Sequence, residues 1–168
     1  MGFYHVPFFL TYEMPKRKLD INEINAFLSK AQVGRISTIN ADGFPYTVPV
    51  HFVHVGDSIF IHNSLKGQKI DNLKANKKVC FEVDEMSSLY YKADIKTSCN
   101  VGTNYMSVIA IGEAILIEDT AKKREVLNLI VEKYTPEFVK LPMPEEKIII
   151  TGIIEINMLS ISGKTIER

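Results

Sequence analysis

The chain has 168 residues, of which 46% are hydrophobic and 24% charged, and this composition fits one globular domain with a single core. Its 20 basic and 20 acidic side chains cancel, which argues against binding to nucleic acid or to an anionic membrane through a global electrostatic field. The two cysteines, Cys80 and Cys99, belong to no ligand motif, so we expect free thiols and no metal site.

Residues 1–18 are expected to form an N-terminal extension. Their apolar start carries no basic leader and is interrupted by Pro7, which is not typical of a secretory signal. Val6 stands where a myristoylation signal requires Ser or Thr. The sequence therefore predicts a cytoplasmic protein with no membrane attachment.

The first predicted element is a helix that begins after Asp20. Asp20 and Glu23 have the spacing of a capping box, in which each side chain accepts a hydrogen bond from the other residue's backbone. Apolar residues then recur at helical intervals and define one buried stripe, which consists of Ile21, Ile24, Phe27, Leu28 and Ala31.

Residues 34–62 predict three antiparallel strands joined by two tight turns. Asp42-Gly43 and Gly56-Asp57 lie between apolar runs and offer the positive φ angles that tight hairpins require. The second strand contains Pro49, which cannot donate to a strand ladder, so this strand is expected to be irregular, at a bulge or at an edge.

A loop and a short helix are predicted over residues 63–76, between the third strand and a fourth at 79–83. Ile70 and Leu73 have helical spacing, and Asn76 is a typical stop.

The start of this helix suits a phosphate monoester. A helix entered through Ser64 and Gly67 presents free backbone N–H groups and the positive end of its dipole, and Lys69 adds a full charge. The alternative is that the lysines of this segment only form the solvated face of a short helix.

Residues 86–104 are the least regular part of the sequence and are predicted to form an irregular loop. A loop of this length either covers a ligand, reaches across a dimer interface, or is a disordered surface segment.

The last predicted elements are a helix from Asp119–Thr120 to Pro136 and a strand over 147–157. The helix presents a buried stripe of Val126, Leu127, Ile130, Val131 and Tyr134 and a wet face of Lys122, Lys123, Arg124 and Glu125. The strand is predicted from Ile148-Ile149-Ile150 and the alternating Ile154 and Ile156. Together the elements predict a mainly β single domain with α additions, in which about six antiparallel strands form a small barrel.

The order of these motifs resembles the flavin-binding split barrels related to pyridoxamine 5'-phosphate oxidase, and within them the nitroimidazole-resistance (Nim-like) branch. The resemblance runs through residues 33–38, 42–46, 48–52, 61–64, 67–72, 76, 79–84 and 105–114. It implies a six-stranded antiparallel split β-barrel that forms a homodimer, with flavin mononucleotide (FMN) at the subunit interface.

The resemblance also implies which residues bind the phosphate of the flavin and which bind its ring. It places the phosphate at Asn63, Ser64, Gly67 and Lys69, where a hydroxyl and an ammonium donate hydrogen bonds. It places the ring against the main chain of Pro49, Val50 and His51, where backbone groups that are not used in a sheet can recognise the pyrimidine edge.

His62 matches the position of the functional histidine of the nitroimidazole-resistance branch and is the candidate catalytic residue. It either hydrogen-bonds flavin or substrate, or donates a proton to a reduced nitro or quinone group, since an ordinary imidazole pKa leaves both forms available. For His5, His51 and His54, a structural role is the alternative.

Five further residues are implied to lie near the flavin. Arg35, Ser37 and Thr38 are on the first strand, where Arg35 serves either the phosphate or an interface carboxylate. Tyr105 and Ser107 are expected to be contributed by the partner subunit.

Three functions are compatible with the sequence. The first is an FMN-dependent oxidoreductase that reduces a small nitro- or quinone-type molecule; no GxGxxG motif is present, so NAD(P)H would bind transiently over the flavin. The second is a flavin-binding module without turnover. The third is a haem-binding split barrel with an axial nitrogen from His62, His51 or His54.

Overall fold

The computed structural model describes residues 16–91 and 94–167, and His5 and most of the N-terminal extension lie outside these ranges. The strands are β1 (Arg17–Lys18), β2 (Gly34–Ile39), β3 (Pro45–Val50), β4 (Phe52–Val55), β5 (Ser58–Asn63), β6 (Lys78–Tyr90), β7 (Gly102–Ile117) and β8 (Gly152–Ile166). The helices are α1 (Ile21–Lys30), α2 (Gln68–Ala75), α3 (Thr120–Tyr134) and α4 (Glu145–Ile150). Among the described residues, no helix is both long and apolar enough to span a membrane.

The sheet is antiparallel and joins the described strands in the order β3-β2-β6-β7-β8-β5-β4, with β1 paired to β8. The strands at its two ends, β3 and β4, are separated in the chain by His51 alone. The chain therefore bends at His51 from one end of the sheet to the other. This confirms the predicted mainly β fold with helical additions, although the described sheet has eight strands and not the six predicted.

Two apolar clusters hold the elements together. The larger one fills the inside of the sheet, where Phe52 and Phe81 pack edge to face with ring centroids 5.0 Å apart, and α1 adds the fully buried Leu28. The smaller one, which includes Val53, Phe60 and Val126, packs α3 against β4 and β5. Burial of such side chains contributes about 1.5–3 kcal/mol each relative to exposure.

The local signals for turns and caps are confirmed. Asp20 and Glu23 form the capping box of α1, and Gly43 and Gly56 have φ angles of 86° and 57° at their turns. The α2 helix ends at Ala75, with Asn76 as its C-cap residue.

Three predictions about the sequence's second half are wrong. Residues 86–90 and 102–104 are strand, because β6 and β7 continue to pair past a bulge near Ser88. Residues 147–150 belong to α4 rather than to a strand, since Pro144 begins a helical turn and Ile148 alone of the three isoleucines is buried. Lys123 is 6% exposed instead of solvated and donates to the Ile149 carbonyl at the end of α4.

Candidate functional site

The loop between β5 and α2 is shaped by Gly67, the N-cap residue of α2. Its φ of 117° with ψ of 168° lies in a region that is essentially restricted to glycine. Gly67 gives α2 no side-chain cap, and the oxygen of Ser64 instead accepts from the Lys66 backbone N–H at 3.2 Å. The first turn of α2 thus keeps N–H groups for an external acceptor, and the Ser64 hydroxyl keeps its proton for donation.

Lys69 supplies the charge at this helix start. Its side chain is half-buried, and burial lowers its pKa. Among the residues that the structure describes, no carboxylate forms an ion pair with it. A partly desolvated ammonium without a counter-ion is stabilised by an arriving anion.

Asn63 ends β5 beside this loop and pairs with Gly152 of β8. Its side-chain oxygen is buried and has no hydrogen-bond partner among the described residues. A Cβ at position 152 would come within 2.6 Å of the Asn63 amide nitrogen and 3.1 Å of its backbone oxygen, so a side chain there would displace the Asn63 side chain. The orphan oxygen adds an unused polar atom to the same loop.

His62 lies next to Asn63 at the end of β5 and faces two basic groups. Its ring is 6.1 Å from that of His51, at an interplanar angle of 25°. Burial lowers the His62 pKa, and His51 and Lys69 lower it further by charge repulsion. His62 is therefore held as a neutral imidazole near neutral pH, able both to accept and to donate a hydrogen bond.

The predicted ring-binding strand is divided by the bend at His51. Pro49 and Val50 end β3, which pairs only with β2 in the described sheet. Pro49 is exposed and Val50 is half-buried. The outer edge of β3 therefore keeps its backbone groups free of strand pairing, and Pro49 marks an edge strand rather than a bulge, because β3 pairs with β2 in continuous register.

The three residues on β2 have different surroundings. Arg35 bridges Glu82 and Asp84 of β6, and Asp84 is the main cause of its raised pKa. Ser37 lies 2.8 Å from the hydroxyl of Thr47 across the strand pair. Thr38 is fully buried, and its hydroxyl donates to the Tyr46 carbonyl and accepts from the Asn72 side-chain amide.

Tyr105 and Ser107 lie elsewhere on the sheet. Tyr105 lines an open groove of about 500 Å³ beneath α1, together with Phe27 and Met106. Ser107 pairs with Asp84 and Lys164. Neither makes a hydrogen bond or ring contact with His51, His62 or Lys69 in the described part of the chain, so within one subunit they do not join the His62 group.

Two functional candidates were not predicted from sequence. Tyr134 at the end of α3 stacks on His51 with ring centroids 4.2 Å apart, but the sequence pattern marked it only as a helix-stripe residue. Asn72 joins α2 to β2 and to the turn at Asn40. A polar residue one position before Leu73 on a short helix gives no signal of burial, because solvated Asn is the usual case.

His54 is half-buried and interacts with the backbone of Gly56.

Solved structures share this fold. A candidate 5-nitroimidazole antibiotic resistance protein from Bacteroides thetaiotaomicron has a TM-score of 0.79 at 23% identity, covering 90% of this chain and 88% of that one. A flavocytochrome from Azotobacter vinelandii has a TM-score of 0.78 at 25% identity, covering 91% and 70%. An FAD and haem binding protein from Mycobacterium smegmatis has a TM-score of 0.79 at 18% identity, covering 91% and 74%. These matches confirm the split-barrel fold.

Comparison with curated proteins found no significant match. The sequence model of a family described as pyridoxamine 5'-phosphate oxidase, in contrast, matches residues 20–165. That range begins at the N-cap of α1 and ends in β8, so it includes the whole His62 site. The resemblance noted in the sequence is thereby confirmed, and the chain belongs to the pyridoxamine 5'-phosphate oxidase family.

Proposed function

We propose that the protein is a homodimeric FMN-dependent oxidoreductase that reduces a small nitro- or quinone-type molecule with electrons from NAD(P)H. The observation that carries this proposal is the pairing of an uncapped helix start with the half-buried Lys69, next to a neutral His62. An anion site and a proton-handling side chain are thus adjacent.

The residues present fit the phosphate of a flavin. The first-turn N–H groups of α2, the Ser64 hydroxyl and the Lys69 ammonium are all donors, which is the donor set that a phosphate monoester requires. Gly67 has a φ of 117°, which L side chains rarely adopt, and the space beside it is open, since a Cβ there would have no atom within 4 Å. The phosphate end would be held by Ser64, Gly67 and Lys69.

The ring end would be held by the unpaired edge of β3. Val50 and His51 offer backbone groups at that edge, and these match the donors and acceptors of a pyrimidine ring. Bound here, a flavin would supply two-electron transfer between a nicotinamide and a substrate. His62, between the two ends, would hold or donate the proton that a reduced nitro or quinone oxygen takes up.

A second copy of the chain would complete the site across the outer face of β6 and β7. Ile109 and Ile111 are 41% and 46% exposed on this face; beyond the polar pair Asp84 and Ser107, Met86 and Leu89 are 69% and 62% exposed further along it. A strip of exposed apolar side chains on a sheet face is typical of an interface. Dimerisation through this strip would bring a partner's Tyr105 and Ser107, which lie on β7, near a flavin.

The interface has a direct test. Ile109→Glu is expected to convert the dimer to a monomer in analytical ultracentrifugation, because it buries a charge in an apolar contact. Val55→Glu is the matched control, since Val55 is 45% exposed on β4, outside the strip. A wild-type monomer would contradict the proposed homodimer.

Haem binding is the second candidate, because His62 is held in the neutral form that a metal-ligating imidazole needs. The fold matches to a flavocytochrome and to an FAD and haem binding protein are compatible with it. A non-catalytic flavin-binding module would use the same phosphate end without turnover.

A visible spectrum separates these functions. The purified protein is titrated in turn with FMN, FAD and haemin, and NAD(P)H is then added without oxygen. A bound flavin that NAD(P)H bleaches supports the oxidoreductase. A bound flavin that stays oxidised indicates a binding module, a Soret band indicates haem, and no binding of any ligand would contradict all three.

The phosphate assignment is tested separately. Lys69→Met is expected to lower the affinity for FMN about tenfold or more, because it removes a charge-assisted hydrogen bond. Lys74→Met is the matched control, since Lys74 is exposed in the last turn of the same helix. Equal FMN affinities of the two variants would remove Lys69 from the site.

A further inference from the structure

Asn72 is a buried polar residue in α2 that makes three side-chain hydrogen bonds. It is 3% exposed. Its amide nitrogen donates to the Thr38 hydroxyl at 2.9 Å and to the Asn40 side-chain oxygen at 2.8 Å. Its amide oxygen accepts from the side chain of Gln68 at 2.8 Å. Both amide hydrogens and the oxygen are thus used, which fixes the orientation of the side chain.

These bonds join α2 to β2 and to the turn at Asn40, and the Thr38 hydroxyl extends the connection to β3. Gln68 is the first residue of α2 and precedes Lys69. Thr38 is fully buried in β2, and its hydroxyl donates to the Tyr46 carbonyl of β3 at 3.3 Å. Asn72 therefore connects the start of the phosphate helix to the hairpin whose second strand leads to Pro49 and His51.

Apolar packing alone would not fix this helix. Ile70 and Leu73 anchor α2 in the core, but contacts between apolar side chains are non-directional and allow a short helix to rotate about its axis. Hydrogen bonds are directional. A rotation of α2 would swing the Lys69 ammonium around the helix axis and would displace the N–H groups of the first turn sideways from a bound phosphate.

We propose that Asn72, acting with Thr38, is the positioning residue that aligns the phosphate end of the flavin site with its ring end. This inference rests on the proposed function, because it requires a flavin phosphate at the start of α2. It also gives Thr38 a role without ligand contact, since its hydroxyl lies in the interior and already bonds Asn72 and Tyr46.

The proposal makes a prediction that separates positioning from general support. FMN carries the phosphate, whereas riboflavin has the same ring and no phosphate. If Asn72 aligns the phosphate end, Asn72→Leu lowers the affinity for FMN about tenfold and leaves the affinity for riboflavin nearly unchanged. A residue with a merely structural role would change both affinities by the same factor.

The experiment measures the affinities of FMN and riboflavin for the full-length protein by fluorescence quenching. Asn104→Leu is the matched control, because Asn104 is also a buried asparagine, 6% exposed, with a side-chain hydrogen bond to Ser88 on β6, outside the phosphate loop. Asn104→Leu is expected to keep the wild-type ratio of the two affinities. An unchanged ratio in a folded Asn72→Leu protein would overturn the proposal.

Thr38 provides a milder pair of variants in case Asn72→Leu does not fold. Thr38→Val keeps the shape and removes the hydroxyl that Asn72 donates to, whereas Thr38→Ser keeps that hydroxyl. The proposal predicts that the FMN preference falls in Thr38→Val and is retained in Thr38→Ser; equal ratios in the two variants would overturn it. If the wild type itself shows no preference for FMN over riboflavin, the proposed phosphate site fails, and this inference fails with it.

Discussion

The imidazole ring of His51 lies nearly parallel to the phenol ring of Tyr134, with centroids 4.2 Å apart and planes at 18°. His51 is the single residue between β3 and β4, and Tyr134 is the last residue of α3. The Tyr134 hydroxyl accepts from the Phe52 N–H at 2.9 Å and has the carbonyls of Phe52 and Gln32 as acceptors at 3.0 Å. The end of α3 thus fixes the bend that places His51 beside His62.

Tyr134→Phe is expected to destabilise the fold by about 1–3 kcal/mol, because it leaves the buried Phe52 N–H without its partner. Urea denaturation measures this change. Tyr46→Phe is the control, since the Tyr46 hydroxyl makes no hydrogen bond among the residues that the structure describes. Equal stabilities of the two variants would show that the Tyr134 hydroxyl does not hold the bend.

The pKa of His62 in the flavin-free protein is expected to lie below the ordinary value of about 6.5. Burial is the largest cause, followed by repulsion from His51 and Lys69. Lys69→Met should therefore raise the His62 pKa, while Lys74→Met leaves it unchanged. An NMR titration of the imidazole checks both, and a His62 pKa above the ordinary value in the wild type would refute this electrostatic account.

Gly67 and Gly56 are expected to respond differently to asparagine. Gly56 has a φ of 57°, which asparagine tolerates, so Gly56→Asn should cost little stability. Gly67 has a φ of 117° and a ψ of 168°, where a side chain costs about 1–3 kcal/mol. Gly67→Asn should also lower the affinity for FMN. Thermal unfolding and FMN titration of both variants test this, and equal effects would contradict the role of Gly67.

Lys133 is expected to make stability increase with pH above neutrality. Its ammonium lies 3.1 Å from the Leu28 carbonyl and 3.9 Å from the Phe52 ring centroid, and burial lowers its pKa to about 8 from 10.5. Between these values the unfolded chain binds more protons than the folded one, so the free energy of unfolding rises with pH. The gain should be on the order of 1 kcal/mol, because the group is only half-buried.

Lys133→Met removes this titration and serves as the comparison. Urea denaturation between about pH 7.5 and about pH 9.5 should show rising stability for the wild type and a flatter profile for the variant. The range stops below Tyr134 ionisation, since burial raises the pKa of that phenol and its effect on stability has the opposite sign. Parallel profiles would show that Lys133 keeps its ordinary pKa.

The sequence predicts this fold best where a local signal and the tertiary environment agree. The capping box at Asp20 and the turns at Gly43 and Gly56 depend on backbone requirements of a few residues, and all three are confirmed. The strand predicted over residues 147–150 is wrong because an Ile-rich run has high strand propensity. In the structure Pro144 precedes a helical turn in which Ile148 alone is buried. Pairing between β6 and β7 extends both strands into residues 86–90 and 102–104, whose sequence has no strand periodicity of its own.

The candidate site is predictable only where its residues are close in sequence. Residues 62–69 run from the end of β5 to the first turn of α2 and supply His62, Ser64, Gly67 and Lys69, which the structure keeps together around the start of α2. Tyr134 and Asn72 contact residues 83 and 34 positions away, His51 and Thr38 respectively. No spacing rule connects such distant positions, so the support of the site is visible only in the fold.

Phosphorus NMR of FMN titrated with the protein tests the phosphate site at the start of α2 most directly. We expect the phosphate resonance to shift and broaden with the wild type and with Lys74→Met. Lys69→Met should require more protein for the same change. A flavin whose visible band shows binding while its phosphate resonance stays at the free position would contradict a phosphate site at the start of α2.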